Sequence, residues 1–163
     1  MDLKTKPNIY FASAIRGDSE RAGQSVILLI QWLKESGFTV LNDHIGDDDA
    51  IEAFARKIGK IKENLTAEDV EKQDIDWLNQ AEYVIAEISG ASTGTGREIE
   101  YARTKGKFGH RPAQILCLYN QKDEFFASPM IRGMTADRYE NISIVSYNDI
   151  ECAKKIIKKF LKL

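Results

Sequence analysis

The chain has 163 residues, with 23 Lys and Arg against 25 Asp and Glu for a net charge of −2, which argues against a nucleic-acid binder because that function demands a basic surplus or stripe. With 43% apolar and 29% charged residues, the composition is that of a folded globular protein, and one domain over residues 1–163 can bury a real core. The longest aliphatic run, residues 26–30, falls far short of the roughly 20 residues of a membrane helix, and residues 1–6 lack the apolar stretch of a signal peptide, so the expected setting is cytoplasmic, without membrane contact.

Short β-rich runs alternate with helical periods. Ile9-Tyr10-Phe11-Ala12 reads as a strand, and Asp18 can cap a following helix with the stripe Ala22, Val26, Leu29, Ile30 and Leu33. Gly37 stops that helix, and residues 38–41 form the next strand. The charged stretch 45–64 shows a weak helical period through Ile51, Phe54, Ala55 and Ile58. Thr66 and Asp69 open a helix running to about Gln80 with a capping-box-like start. Residues 83–88 form a third strand, followed by a Gly-rich turn and a helix over residues 96–105. Residues 115–118 read as a strand buried on both faces, and residues 142–145 as a fifth strand. A last helix carries Ile150, Ala153, Ile157, Phe160 and Leu161 on one side, with its lysines on a solvated face.

This alternation predicts an α/β fold: a flavodoxin-like, Rossmann-like three-layer sandwich around a five-stranded parallel sheet of order 2-1-3-4-5. Ligands of such folds sit at the carboxyl ends of strands 1 and 3, in the loops after Ala12, Leu41 and Ile88. Cys117 and Cys152 fall on apolar stripes and read as buried reduced thiols. With two histidines and no metal-ligand spacing, the sequence calls for neither a metal nor a cofactor.

The turn after strand 3 holds Ser92, Gly94 and Gly96, whose backbone N–H groups can approach an anion, although no dinucleotide or P-loop pattern surrounds them. Glu98 falls in the first turn of the predicted helix, where the dipole holds it ionised. It is either a nucleophile at the crevice or an ordinary first-turn acid. Asp74 lies on the helical face of Val70, Trp77 and Leu78, so it needs a partner, a raised pKa or a chemical role. Arg16 with Gly17 can meet an anion or be a plain surface arginine. Tyr10 near the end of strand 1 fits core or site, His44 a ligand contact or a turn, and His110 the surface.

Taken together, the segments 9–17, 74–78, 94–98 and Ser128-Pro129-Met130-Ile131-Arg132-Gly133 resemble the nucleoside 2-deoxyribosyltransferase superfamily, nearest its 2′-deoxynucleoside 5′-phosphate N-hydrolases, over residues 8–147. The resemblance implies that Glu98 attacks the anomeric carbon, Asp74 positions sugar and nucleophile and assists base departure, and Tyr10 hydrogen-bonds the glutamate. It further implies a 5′-phosphate pocket from Arg16, Gly17 and Ser92, with Ile15, Gly94 and Gly96 also at the substrate and His44 beside the base. Ser128 would reach the phosphate of a neighbouring subunit, which implies a homodimer. The expected reaction is hydrolysis of deoxynucleoside monophosphates through a covalent glutamyl-deoxyribosyl intermediate. Transfer of deoxyribose between bases, or nucleotide binding without catalysis, are the alternatives.

Overall fold

The computed structural model describes residues 6–15, 21 and 23–163. Five parallel strands run in the order β2-β1-β3-β4-β5: β1 is Asn8–Ala12, β2 Thr39–Val40, β3 Tyr83–Glu87, β4 Gln114–Asn120 and β5 Ile142–Tyr147. The order matches the expectation. Register places Tyr10 opposite Val84 and Ala12 opposite Ala86, and on the other side of β3 sets Ala86 opposite Cys117. Strands 1 and 3 are thus neighbours whose carboxyl ends stop at one level, with β2 to one side and β4 to the other.

Successive side chains of each strand enter opposite layers, as the pleat requires. Tyr10, Ala12, Val84, Ala86 and Cys117 pack beneath α3 (Ala67–Gln80) and α4 (Thr93–Thr104) through Leu78, Ile99 and Ala102. Ile9, Phe11, Ile85, Leu116 and Leu118 pack against α1 (Gly23–Glu35) and α6 (Ile150–Phe160). The α1 stripe Val26, Leu29, Ile30 and Leu33 is buried, while the expected cap Asp18 and Ala22 lie outside the described residues. Gly37 takes φ +82°, and Phe38 N donates back to Leu33 O at 3.1 Å, so a left-handed glycine ends α1 as expected. Cys117 is buried, its thiol pushed up to about 12 by burial, whereas Cys152 is only half-buried because it flanks the α6 stripe.

Two local differences from the sequence reading have clear causes. β2 is two residues long because Asn42 takes over its pairing: Asn42 Oδ1 accepts from Phe11 N at 2.8 Å and its Nδ2 donates to Phe11 O at 2.7 Å. A side-chain amide thus replaces a rung of backbone. The weak period in residues 45–64 resolves into α2 (Ala50–Lys57), capped by Asp49 through Glu52 N. The capping box expected at Thr66 and Asp69 is present. A four-residue helix, α5 (Pro129–Arg132), follows β4. No helix among the described residues is long and apolar enough to cross a membrane.

Candidate active site

A cavity of about 950 Å³ opens at the carboxyl ends of β1 and β3, between α2, α3 and the start of α4. Tyr10 is fully buried on β1 and does not itself line the cavity; its hydroxyl donates to Glu98 Oε1 at 2.8 Å. Glu98 comes from α4 and Asp74 from α3, and both carboxyls line the cavity. Two carboxyls distant in sequence therefore meet at the cavity, with the Tyr10 hydroxyl bonded to one of them from behind. The expected Tyr10–Asp74–Glu98 cluster is assembled by the topology.

Burial raises Glu98 to about 7; the Tyr10 hydroxyl pulls it down and Asp74 pushes it up. Burial likewise raises Asp74 to about 6, again opposed by Tyr10. Tyr10 itself is driven well above its ordinary value by burial and by the two acids. The predicted dipole effect on Glu98 does not hold. α4 begins at Thr93 rather than Gly96, so Glu98 stands in the second turn and burial wins over the fading helix field.

The early start of α4 also changes the Gly-rich turn. Ser92 caps the helix by accepting from Thr95 N at 3.1 Å, and Gly94 and Gly96 lie inside its first turns rather than in a loop before it. Thr95 N and Gly96 N both donate back to Ser92. An anion at this helix start would therefore meet the N–H groups of Thr93 and Gly94. Gly94 lines the cavity and Gly96 does not.

The opposite wall is apolar. His44 is buried against Phe54 and Trp77, with ring centroids 5.1 and 5.5 Å away. Burial, aided by Lys57, lowers its imidazole to about 4, so the ring is neutral at physiological pH. Ile51, Phe54, Leu65 and Val70 extend this wall. Ile51 and Phe54 belong to the weak apolar period of the charge-rich segment 45–64, and the fold turns that period toward the cavity.

Ser13, Ile15 and Ser92 also line the cavity, Ile15 being 44% exposed. Arg16 and Gly17 lie outside the described residues. Ser128 is exposed at the start of α5 and is not brought to the cavity within this chain. The backbone beneath the site is held by a third carboxyl, that of buried Glu87 at the end of β3. It accepts from Ser89 Oγ, from Ser89 N at 3.1 Å and from Tyr147 OH at 2.9 Å, while Asn120 N donates to Ser89 Oγ at 2.8 Å. These bonds tie the β3–α4 turn to the ends of β4 and β5.

The sequence profile of the nucleoside 2-deoxyribosyltransferase family matches residues 9–145. A Thermofilum pendens protein named "Putative 2′-deoxynucleoside 5′-phosphate N-hydrolase 1" is 34% identical over 143 residues, covering 88% of this chain and 87% of that one. The 5-hydroxymethyl-dUMP N-hydrolase of Homo sapiens is 32% identical over 130 residues, covering 78% of this chain and 66% of the human one. Among solved structures, the CMP N-glycosidase of Clostridium botulinum aligns with a TM-score of 0.60 at 21% identity, covering 94% of this chain and 98% of that one, a likeness of fold. The profile spans both strands that frame the cavity and every residue of the Tyr10–Asp74–Glu98 cluster, and the chain belongs to the nucleoside 2-deoxyribosyltransferase family.

Proposed function

We propose that this protein is an N-glycosidase that hydrolyses 2′-deoxyribonucleoside 5′-monophosphates to free base and 2-deoxyribose 5-phosphate. The observation that carries the reading is the 2.8 Å bond from Tyr10 OH to Glu98 Oε1, with Asp74 in the same cavity. The relatives named as N-hydrolases of such nucleotides support it.

Two adjacent carboxyls titrate as a pair. In the reactive form of the pair, Glu98, which accepts the Tyr10 hydroxyl, is ionised and Asp74 carries the shared proton. One Glu98 oxygen attacks C1′ as the C1′–N bond breaks, and the bonding electrons leave with the base, to which Asp74 delivers its proton. Water, deprotonated by Asp74, then attacks C1′ of the ester and releases Glu98 as a carboxylate. The developing oxocarbenium charge is met by these carboxylates, as in retaining glycosidases. The 5′-phosphate sits at the start of α4, near Ser92 and the N–H groups of Thr93 and Gly94, on the side of the cavity that Ile15 lines, and the family resemblance assigns Arg16 and Gly17 to the same pocket. The base lies against His44 and Phe54, which Trp77 backs from outside the cavity.

The phosphate site is completed in a homodimer by Ser128 of the second copy. Supporting this, Ser128 is exposed and flanked by Phe125 and Met130, 87% and 82% exposed, as an unpaired interface would be. Incubating the protein with a deoxynucleoside monophosphate and with its nucleoside, with and without an acceptor base, tests the assignment. Free base and deoxyribose 5-phosphate from the monophosphate, abolished in Glu98→Ala, are expected. Passage of the sugar to the acceptor would make the protein a transferase instead.

A further inference from the structure

Among the described residues, the buried side-chain polar atoms without a hydrogen-bond partner are His44 Nδ1 and Thr95 Oγ1. Both residues line the same cavity. Elsewhere, buried polar groups are satisfied: Asn42 by both main-chain groups of Phe11, Glu87 by three donors, and Lys105 by carbonyls of Leu78 and Ala81. A buried hydroxyl left unpaired destabilises the fold, so two such atoms gathered in one cavity point to a ligand that supplies their partners.

Thr95 has an easy way out that it does not take. A threonine inside a helix commonly returns its hydroxyl to a carbonyl one turn back. Thr104, on the same helix, does so, donating to Glu100 O at 2.8 Å. Thr95 is 5% exposed and keeps its hydroxyl free.

Its place on α4 indicates which part of a ligand it meets. Ser92, Thr95 and Glu98 are spaced by three residues, about 4.5 Å of helix rise per step, and recur on one face. In the nucleotide reading above, on which this inference rests, Ser92 marks the phosphate and Glu98 the anomeric carbon. The furanose lies between the two. A 2′-deoxyribose held at both ends has one free hydroxyl, on C3′. We propose that Thr95 Oγ1 hydrogen-bonds the 3′-hydroxyl of the substrate sugar, and so is a binding residue that sets the sugar against Glu98.

Thr95→Val keeps the side-chain shape and removes the hydroxyl. The expected result is a melting temperature no lower than wild type, because an unsatisfied polar atom has been removed, with kcat/KM on a deoxynucleoside monophosphate reduced about tenfold, the scale of one hydrogen bond. On the 2′,3′-dideoxynucleoside monophosphate, which lacks the 3′-hydroxyl, the variant and wild type should be equal, and Thr95→Ser should restore the discrimination. Equal losses on both substrates, no loss on either, or a lowered melting temperature would overturn the assignment. A wild-type protein that neither cleaves nor binds a deoxynucleoside monophosphate by calorimetry would instead refute the nucleotide reading, and the role of Thr95 with it.

Discussion

Glu98→Gln should abolish base release and at the same time make the protein more stable, in a manner that depends on pH. The unfolded glutamate ionises near 4.5, whereas in the fold burial raises it to about 7. Between those values the native state binds more protons than the unfolded state, so the stability of the wild type falls as pH rises across the window and stays low above it. At about 1.4 kcal/mol per tenfold change, the ionised carboxylate costs up to about 3 kcal/mol, and solvent reaching this half-buried group reduces that to about 2 kcal/mol. Glutamine retains an oxygen for the Tyr10 hydroxyl and never ionises. Its advantage should be near zero at pH 4 and reach about 2 kcal/mol at pH 8, or about 4–8 °C in melting temperature for a chain of this size. Thermal melts at the two pH values decide it. A variant no more stable than wild type at pH 8, or stabilised equally at both, would show that burial does not burden this carboxylate.

The same pair governs the rate. With Glu98 ionised and Asp74 carrying the proton it delivers to the base, kcat/KM should peak at about pH 6–7 and fall on either side, and Asp74→Asn should lose the alkaline limb; an alkaline limb that survives in the Asp74→Asn pH–rate profile would contradict the role given to Asp74. Tyr147→Phe removes one donor from buried Glu87 and should cost about 1.5–3 kcal/mol in urea unfolding while leaving kcat within about twofold. Lys105, fully buried and lowered to about 8 mainly by burial, holds the C-terminal carbonyls of α3. Lys105→Met should cost about 2–4 kcal/mol in the same assay, and a neutral result would mean that those carbonyls find other partners.

The sheet was legible because its signals are local. Runs such as Ile115-Leu116-Cys117-Leu118 mark strands, and the Thr66–Asp69 box and Gly37 mark helix ends with specific backbone chemistry. Asp74 was legible as a carboxylate on a buried stripe, and so too was the crevice at strands 1 and 3. What escaped the sequence depends on neighbours brought in by the fold. Ser92 looked like part of a loop, yet its hydroxyl caps a helix that starts three residues earlier than the apolar pattern. That shift put Glu98 in the second turn and left burial to set its pKa. Lys105 stands at the end of the helix the sequence predicts, and only the packing of α3 beside α4 shows that it is sealed in. Thr95 carried no sequence signal because an unmade hydrogen bond leaves no trace in spacing.

Glu87 and Glu98 show why burial alone does not prepare a carboxylate for the nucleophilic role proposed for Glu98. Both carboxyls are raised by burial and both belong to the β3–α4 connection. Glu87 accepts three hydrogen bonds, from two side-chain hydroxyls and a backbone N–H, so its lone pairs are committed and its geometry is fixed by β3, β4 and β5. Glu98 accepts one bond among the described residues, at Oε1, leaving Oε2 to the cavity. An oxygen with no donor retains its electron density and can form a bond to carbon, whereas one wrapped by donors would have to lose them first. The fold therefore satisfies the carboxylate that holds the turn and under-satisfies the one that faces the cavity, and the stability lost at Glu98 is the physical counterpart of the reactivity proposed for it.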